Sequence, residues 1–504
     1  MNFIKKSFMG MTALMLALSA SASDNRPNIV LILADDVSPD MFSIYGQEGA
    51  AKTPNIDKLA EQGVRFQTTY ATAKCGSSRV EIMTGRYAQT TGVYTNEIWL
   101  GNARKEVYSD NIPFSRVLKD AGYATGITGK WHAGIQMPYE DVLAFDEHAL
   151  WEGTKEIAKL AGSPKFTGLM EDKKTTSRYW HPGYVVNGKL LDTKPMDYSL
   201  DIEADFIMAF MEKNAKAGKP FLAYWPTVAP HGTRTGMPTN PLRGKPGLLG
   251  QGKKIKKKDK IPGENHARFV SLIQYLDLKV GEVVHKINEL GIADNTIIIF
   301  LSDNGTAVTA KTRGVERGSH VVHIAAGAGI KQRGLTTELS DFSDITPTLI
   351  DYANAWDFVP KGHSFNGKSL VPFYQGDTDT HREWIYGYAG TSQLLRTKNY
   401  MLEVVNPIMN MPRGRFYYTG EHRFGFGYKL VDGLPEHASE RAKFDDILNQ
   451  LPPLTRADTH WQTKSGKRVL KTLSKPKVIK KHLYNHADYK RYDETYRGDG
   501  SSKP

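Results

Sequence analysis

The sequence predicts an α/β fold, a mostly parallel sheet sandwiched by helices, followed by a smaller C-terminal α+β subdomain containing an antiparallel sheet. Three observations lead there. Residues 28–33 and 296–301 are continuous apolar, β-branched runs of strand length, as expected of strands buried on both faces. Segments of helical and strand pattern alternate between them, which argues for parallel strands joined by helices. Both runs end in acid, Asp35 and Asp36 after the first and Asp303 and Asn304 after the second. Those are the carboxyl ends of strands, where open α/β sheets place their sites.

Each further element follows from local chemistry. Thr53 is placed as the N-cap of a helix that starts at Pro54, where a missing N–H costs nothing. Residues 114–121 read as helix, 124–128 as strand, 201–215 as helix and 220–225 as strand. Residues 264–290 read as a long amphipathic helix, with Phe269, Leu272, Leu276 and Val280 at near-helical spacing, and Gly291 separates it from the second buried strand. Past residue 376, residues 384–388 and 399–405 read as strands of the smaller sheet. The expected division is a leader over 1–22, a catalytic domain over 23–376 and a smaller subdomain with a basic tail over 377–504.

Lys5 and Lys6, an apolar stretch over residues 9–18 and the small residues Ser19, Ala20, Ser21 and Ala22 read as a secretory signal peptide. The stretch is too short to span a bilayer and no later run is long enough. The mature chain is therefore expected to be exported, periplasmic or secreted, without stable membrane insertion. Composition is globular, 40% hydrophobic and 24% charged, and the formal charge is +12, of which the leader carries two. Such an excess favours anionic partners. Nucleic acid is disfavoured because no recognition motif is present and the chain is read as exported; export favours a sulfated or carboxylated glycan over acidic lipid, the bland alternative being that the charge serves solubility alone.

Asp35, Asp36, Asp303 and Asn304 form an all-oxygen, three-anion set if the fold brings them together, suited to calcium or magnesium rather than zinc. Taken alone, strand-end acids equally cap the next helix or turn. The chain's one cysteine, Cys75, has no partner for an internal disulfide and precedes Ser77, Ser78 and Arg79; packing, metal binding and chemistry are its possible roles. Lys130 and His132 stand two apart, so both can reach one ligand from an extended segment, the bland alternative being a turn around Trp131. His231, between Pro230 and Gly232, has the local look of a turn histidine.

The ordered set of segments 27–36, 53–57, 75–87, 129–134, 229–231, 302–305 and 343–349 resembles the type I, formylglycine-dependent sulfatase family of the alkaline phosphatase-like superfamily. The resemblance covers about residues 26–376. It implies that Cys75 is oxidised to formylglycine by a maturation enzyme that reads the unfolded chain. The hydrated aldehyde then attacks sulfur, and its second hydroxyl expels sulfate as the aldehyde reforms. By position, Arg79 would steady the hydrate, and Asp35, Asp36, Asp303 and Asn304 would bind a cation, calcium ahead of magnesium. Lys130 and Lys311 would hold the sulfate oxygens, His132 would take the proton that triggers elimination, and His231 would be the acid for the departing alcohol. Lys311 is placed because residues 311–318, with Glu316 five residues on, resemble a family stretch in the same location.

Two departures stand out. Position 77 is serine where the family has proline or, less often, alanine, which bears on conversion of Cys75. Arg317, His320 and His323 occupy places often held by Gly, Arg and Pro, and either shape a loop or touch substrate. Lys253, Lys254, Lys256, Lys257, Lys258 and Lys260 form a basic insertion that either grips a polyanion or is a solvated charge run. The expected activity is hydrolysis of sulfate esters on a polysaccharide or its oligosaccharides, with algal galactans such as carrageenan weakly favoured. The alternatives are a phosphodiesterase or phosphonate hydrolase on the same fold, and a non-catalytic sulfated-glycan binder if Cys75 stays a thiol.

Overall fold

A computed structural model of the chain describes residues 25–451 except 47–48, 97–98, 100–101, 152–176, 233–236, 244–263, 307–310, 312–313, 408–410, 424 and 426. The leader, the basic insertion at 253–260 and the basic tail lie outside the described residues.

One sheet has eleven strands: β1 (Asn28–Ala34), β2 (Val64–Tyr70), β3 (Ala124–Lys130), β4 (Glu147–Trp151), β5 (Tyr184–Val186), β6 (Lys189–Leu190), β7 (Phe221–Pro226), β8 (Thr296–Ser302), β9 (His320–Val321), β10 (His323–Gly327) and β11 (Gly334–Asp341). Their order is β11-β2-β10-β8-β1-β7-β3-β4-β5-β6, with β9 beside β2. The core run β8-β1-β7-β3-β4 is parallel throughout, with Val30 opposite both Ala223 and Ile298. β10 is antiparallel to β8 and to β2, so β2 runs in the common direction of the core strands. Five adjacent carboxyl ends, and that of β2, therefore open on one edge of the sheet.

The apolar runs are buried on both faces, as their composition requires. Ile29, Leu31 and Leu33 pack on one side with Val80 and Met83 of the helix Cys75–Thr84, with Val117 of Phe114–Asp120 and with Leu349 of Ile345–Tyr352. Val30, Ile32 and Ala34 pack on the other with Ile56 of Pro54–Glu61, Phe210 of Ser199–Lys216 and Leu276 of Glu264–Glu289. Phe269, Leu272, Leu276 and Val280 all lie in that second layer.

One local expectation is corrected. Pro54 does open its helix, but the Thr53 side chain makes no capping bond; its hydroxyl donates to Asp57 Oδ1 at 2.8 Å. The free N–H groups of Asn55 and Ile56 donate instead to Asp277 Oδ1, at 3.0 and 2.8 Å, from the long helix 221 residues away. A tertiary contact replaces the local cap because the two helices already pack together.

A separate five-stranded antiparallel sheet follows: β12 (Ile385–Ala389), β13 (Ser392–Arg396), β14 (Tyr400–Val405), β15 (Arg415–Tyr418) and β16 (Lys429–Leu430). The helix Ala438–Gln450 covers it through Phe444, 5.1 Å from the Phe416 ring. Two buried ion pairs, Glu316 with Arg396 and Asp344 with Arg382, fasten this sheet to the larger one. No helix among the described residues is long and apolar enough to cross a membrane.

Candidate active site

The residues singled out in the sequence meet at the common carboxyl edge. Asp35 and Asp36 follow β1, Asp303 and Asn304 follow β8, Lys130 ends β3 with His132 two residues on, and His231 lies beyond β7. Cys75 is the first residue of the helix after β2 and is buried. The close approach of β3 to β7 requires Gly129: its φ is +110°, and a Cβ there would fall 2.3 Å from the Pro226 carbonyl oxygen. Asp36 and His132 both hold left-handed backbone, φ 64° and 49°, a conformation that costs about 1–3 kcal/mol for such residues and concentrates at functional sites.

The acids are held by a lattice of cations. Lys130 Nζ donates to Asp35 Oδ2 at 2.6 Å, and Arg79 reaches Asp303 Oδ2 through Nε at 3.0 Å and Nη2 at 2.9 Å. Arg79 Nη1 donates to the Lys130 carbonyl at 2.7 Å, tying the Cys75 helix to the end of β3. Lys311 Nζ donates to Asp36 Oδ1, and Asn304 Nδ2 donates to the same oxygen at 2.9 Å. His231 Nε2 lies 3.1 Å from Asp36 Oδ2. Lys311, placed in the sequence by the resemblance of its segment to a family stretch, thus stands among the acids.

Burial pushes Asp36 up to about 6, with Asp35 and Cys75 adding to the rise and Lys311 opposing it. Burial and the charge of Asp35 likewise raise Asp303. Asp35 goes the other way: burial is outweighed by Lys130, His231, Arg79 and Lys311 together. At Cys75, burial is outweighed by Lys130, Lys311 and His132, so the thiol is held well below its ordinary range. His132 keeps solvent exposure at the mouth, yet the protein around it holds the imidazole below its usual value, with Lys130 contributing and Cys75 opposing. Burial and the charge of Arg178 press His231 down.

The donor set fits a hard divalent cation. Asp35 Oδ1 and Asn304 Oδ1 are buried without a hydrogen-bond partner, a costly state that a bound cation relieves. Three carboxylates crowd together with pKa values driven upward at two of them, as expected where negative charge awaits a counter-ion. All four residues offer oxygen, the preference of calcium and magnesium.

Two neighbours escaped sequence reasoning. Asn96 accepts from the Gly76 N–H through Oδ1 at 2.8 Å and points Nδ2 at Cys75 Sγ, 3.8 Å away. Arg178 contacts His231 Nδ1 and donates to Gly232 O at 3.0 Å. Neither sits in a motif, so no sequence signal marks them. Ser77 is buried, 2.6 Å from Thr72 Oγ1, and donates to the Lys74 carbonyl at 3.1 Å, so serine is fully satisfied there once folded. Of the two options for Arg317, His320 and His323, packing prevails. Arg317 pairs with buried Asp40, His320 Nε2 meets Gln67 O at 3.0 Å, and His323 lies between Ser340 Oγ and Tyr374 Oη at 2.9 and 2.7 Å.

A mostly parallel sheet whose strand ends gather a buried cysteine, an oxygen-rich acid cluster and two lysines fits the alkaline phosphatase-like superfamily. The sequence matches the sulfatase family over residues 27–355; the chain belongs to that family and is a sulfuric ester hydrolase. It is 28% identical over 407 residues to dog (Canis lupus familiaris) N-acetylgalactosamine-6-sulfatase, covering 75% of this chain and 72% of the relative. It is 26% identical over 516 residues to a sulfatase of Formosa agariphila, covering 89% and 88%. Among solved structures it resembles Ps i-CgsB in complex with k-i-k-neocarrahexaose, with a TM-score of 0.64 and 21% identity over 91% of this chain and all of that one.

Proposed function

We propose that the protein hydrolyses sulfate esters on a sulfated polysaccharide or its oligosaccharides, outside the cytoplasm, through formylglycine made from Cys75. The observation that carries this reading is the placement of Cys75 at a helix N-terminus, its thiol under the influence of Lys130, Lys311 and His132 and beside the Asp35–Asp303 pair. Ligand atoms of Asp35, Cys75 and Asp303 lie within 4.8 Å of one another, so an oxygen built on residue 75 would stand at the acid cluster.

A calcium ion held by Asp35, Asp36, Asp303 and Asn304 would supply Lewis-acid polarisation of sulfate and of the nucleophile. The chain's own groups do the rest. Lys130 and Lys311 are positioned to bind sulfate oxygens as point charges. A hydroxyl of the residue 75 hydrate attacks sulfur, the ester S–O bond breaks, and the alcohol leaves on the side of His231. His132 then takes the proton of the second hydroxyl, sulfate is expelled, and water rehydrates the aldehyde. Arg79 holds the end of β3 against the Cys75 helix and so fixes Lys130 relative to residue 75.

The positive charge favours a polyanionic substrate, and a carrageenan-type galactan is the first to test. The experiment is the mass of the tryptic peptide containing residue 75, from protein made with the maturation enzyme and treated with an aldehyde trap, alongside sulfate release from aryl sulfate and carrageenan oligosaccharides. An aldehyde with sulfate release supports the reading. A persistent thiol in protein from the native host, or faster cleavage of an aryl phosphodiester or phosphonate ester, would overturn it.

A further inference from the structure

Strand β14 departs from regular pairing at one point, and that point faces the segment that follows Lys311. Gln393 pairs with Val405 and Leu395 with Leu402, so Leu394 of β13 stands against two residues, Glu403 and Val404. Such a bulge takes a residue out of the ladder and re-aims its groups, a device often found beside active sites. Val404 holds left-handed backbone there, φ 58°. A β-branched residue is an outlier in that region and stays in it only where its surroundings fix it.

The fixing contacts all go to residues 314–316. The Val404 N–H donates to the Gly314 carbonyl at 3.1 Å. Glu403 is fully buried; its Oε2 accepts from the Glu316 N–H at 3.1 Å and its Oε1 from Arg415 Nη2 at 2.7 Å. The Glu316 carboxylate in turn accepts from the Tyr428 hydroxyl at 2.6 Å, from the Tyr70 hydroxyl at 2.9 Å and from Arg396. Gly314 lies hard against β13, since a Cβ there would stand 2.7 Å from Ser392 Cβ.

On its other side Lys311 is tied to the large sheet. Its N–H donates to the Thr306 carbonyl at 3.2 Å. Thr306 donates its N–H to Ser38 Oγ at 2.8 Å and accepts from the Ser38 N–H at 3.1 Å. Lys311 is therefore held between a post beyond β1 and β8 and a post on the small sheet. Gly314 is three residues past it, at most about 11 Å of extended chain, so the second post limits where the ammonium can stand.

We propose that the Glu403–Val404 bulge is a positioning device for Lys311: by pinning Gly314 and Glu316 to the small sheet, it sets where the lysine ammonium meets a sulfate oxygen. The sulfate part rests on the function proposed above; the pinning does not. Lys311 acts as a point charge whose effect depends on its separation from the sulfate, so a shift of about 1 Å shows in turnover.

The test begins with Gly314→Ala, which sets a Cβ against Ser392 and removes neither a charge nor a hydrogen bond. The kcat for sulfate release from an aryl sulfate should fall about 10- to 100-fold. Ser392→Gly clears the collision, and Asn406, which donates to Ser392 Oγ, keeps Thr391 Oγ1 as a partner. By itself Ser392→Gly should leave kcat within about twofold of the parent, and combined with Gly314→Ala it should restore most of the loss. Glu403→Ala should lose about as much as Gly314→Ala. Lys311→Ala itself should lose about 10²–10³-fold, and in that background either further substitution should cost less than about twofold. A merely structural role would instead lower turnover in step with the urea midpoint and add its full cost to Lys311→Ala. Parent-like turnover in Gly314→Ala, a loss that Ser392→Gly does not relieve, or full additivity with Lys311→Ala overturns the proposal.

Hydrogen exchange read by mass spectrometry gives a measurement apart from turnover. The peptide covering residues 314–318 should be protected in the parent, and Glu403→Ala should speed its exchange. A parent that releases no sulfate sinks the sulfatase reading alone. An unprotected 314–318 peptide in the parent overturns the pinning whether or not sulfate is released.

Discussion

Two buried acid clusters flank the helix Cys75–Thr84, made from the same kinds of residue and put to opposite uses. On one side Asp35, Asp36 and Asp303 sit with Arg79, Lys130 and Lys311. On the other, Asp341 at the end of β11 and Asp344 sit with Arg382 and His381, near Glu81 of the helix. In the second cluster each aspartate oxygen has donors. Asp344 accepts from Arg382 Nε at 2.8 Å on either oxygen, from His381 Nε2 at 3.0 Å, and from the N–H groups of Asp341 and Lys368 at 3.1 and 2.9 Å. Asp341 accepts from the Ser343 N–H at 3.1 Å on Oδ1 and from the Tyr87 hydroxyl at 2.8 Å on Oδ2. Glu81, beside them, is pushed up by burial and then by Asp341. The first cluster leaves Asp35 Oδ1 and Asn304 Oδ1 without hydrogen bonds. Charge and burial therefore do not separate a site from a latch; whether donors meet the aspartate oxygens does.

If that distinction holds, damage to the first cluster should cost chemistry and damage to the second should cost stability. The largest effect is expected from Cys75→Ala, a loss on the order of 10⁵-fold in sulfate release with cooperative unfolding retained. Residual turnover near the parent rate would remove Cys75 from the reaction. Next is Asp344→Ala, which leaves Arg382 buried and unpaired and should destabilise by about 3–5 kcal/mol in urea denaturation. A loss below about 1 kcal/mol would mean that the latch is not one.

Cation binding separates the clusters more finely. Calcium at about 100 times its dissociation constant should raise unfolding free energy by about 2.7 kcal/mol, and Asp303→Asn should abolish the shift. A parent protein whose unfolding midpoint ignores both calcium and chelator would sink the cation site. A further effect concerns pH and belongs to neither cluster. His320 and His323 are held by burial at about 4 and about 3. The unfolded chain takes up their protons first, near pH 6.5, so their contribution is complete above that pH and falls as pH drops toward 4 and then 3. Each loses up to about 1.4 kcal/mol per pH unit over that window. Urea midpoints from pH 7 to 5 should show this slope, and His323→Gln should flatten it by about half.

Much of this was legible in the chain. The two apolar runs, the long helix with Phe269 and Leu276 inward, and the strands near 385 and 400 follow from periodicity and β-branching, which act over a few residues. The ordered motifs placed Cys75, Lys130, His132, His231, Lys311 and the four oxygen residues in one family pattern. Thr53 takes the N-cap position that its sequence suggests but makes no side-chain capping bond, because the distant carboxylate of Asp277 takes the N–H groups. Residues 343–349, one of the family landmarks, prove to anchor the small sheet through Asp344 and Arg382. Sequence order gave no sign of that role.

The sequence by itself determined which segments become buried strands and helices and which reactive side chains stand at their ends, because those properties depend on near neighbours. Tertiary structure alone decided that four strand ends up to 268 residues apart would share one edge, that Asn96 and Arg178 would join them, and that the aspartates of one acid cluster would be met by donors while oxygens of the other stayed open. The reason is physical: whether a buried polar atom is satisfied depends on what the rest of the chain packs against it, and that is a property of space rather than of sequence.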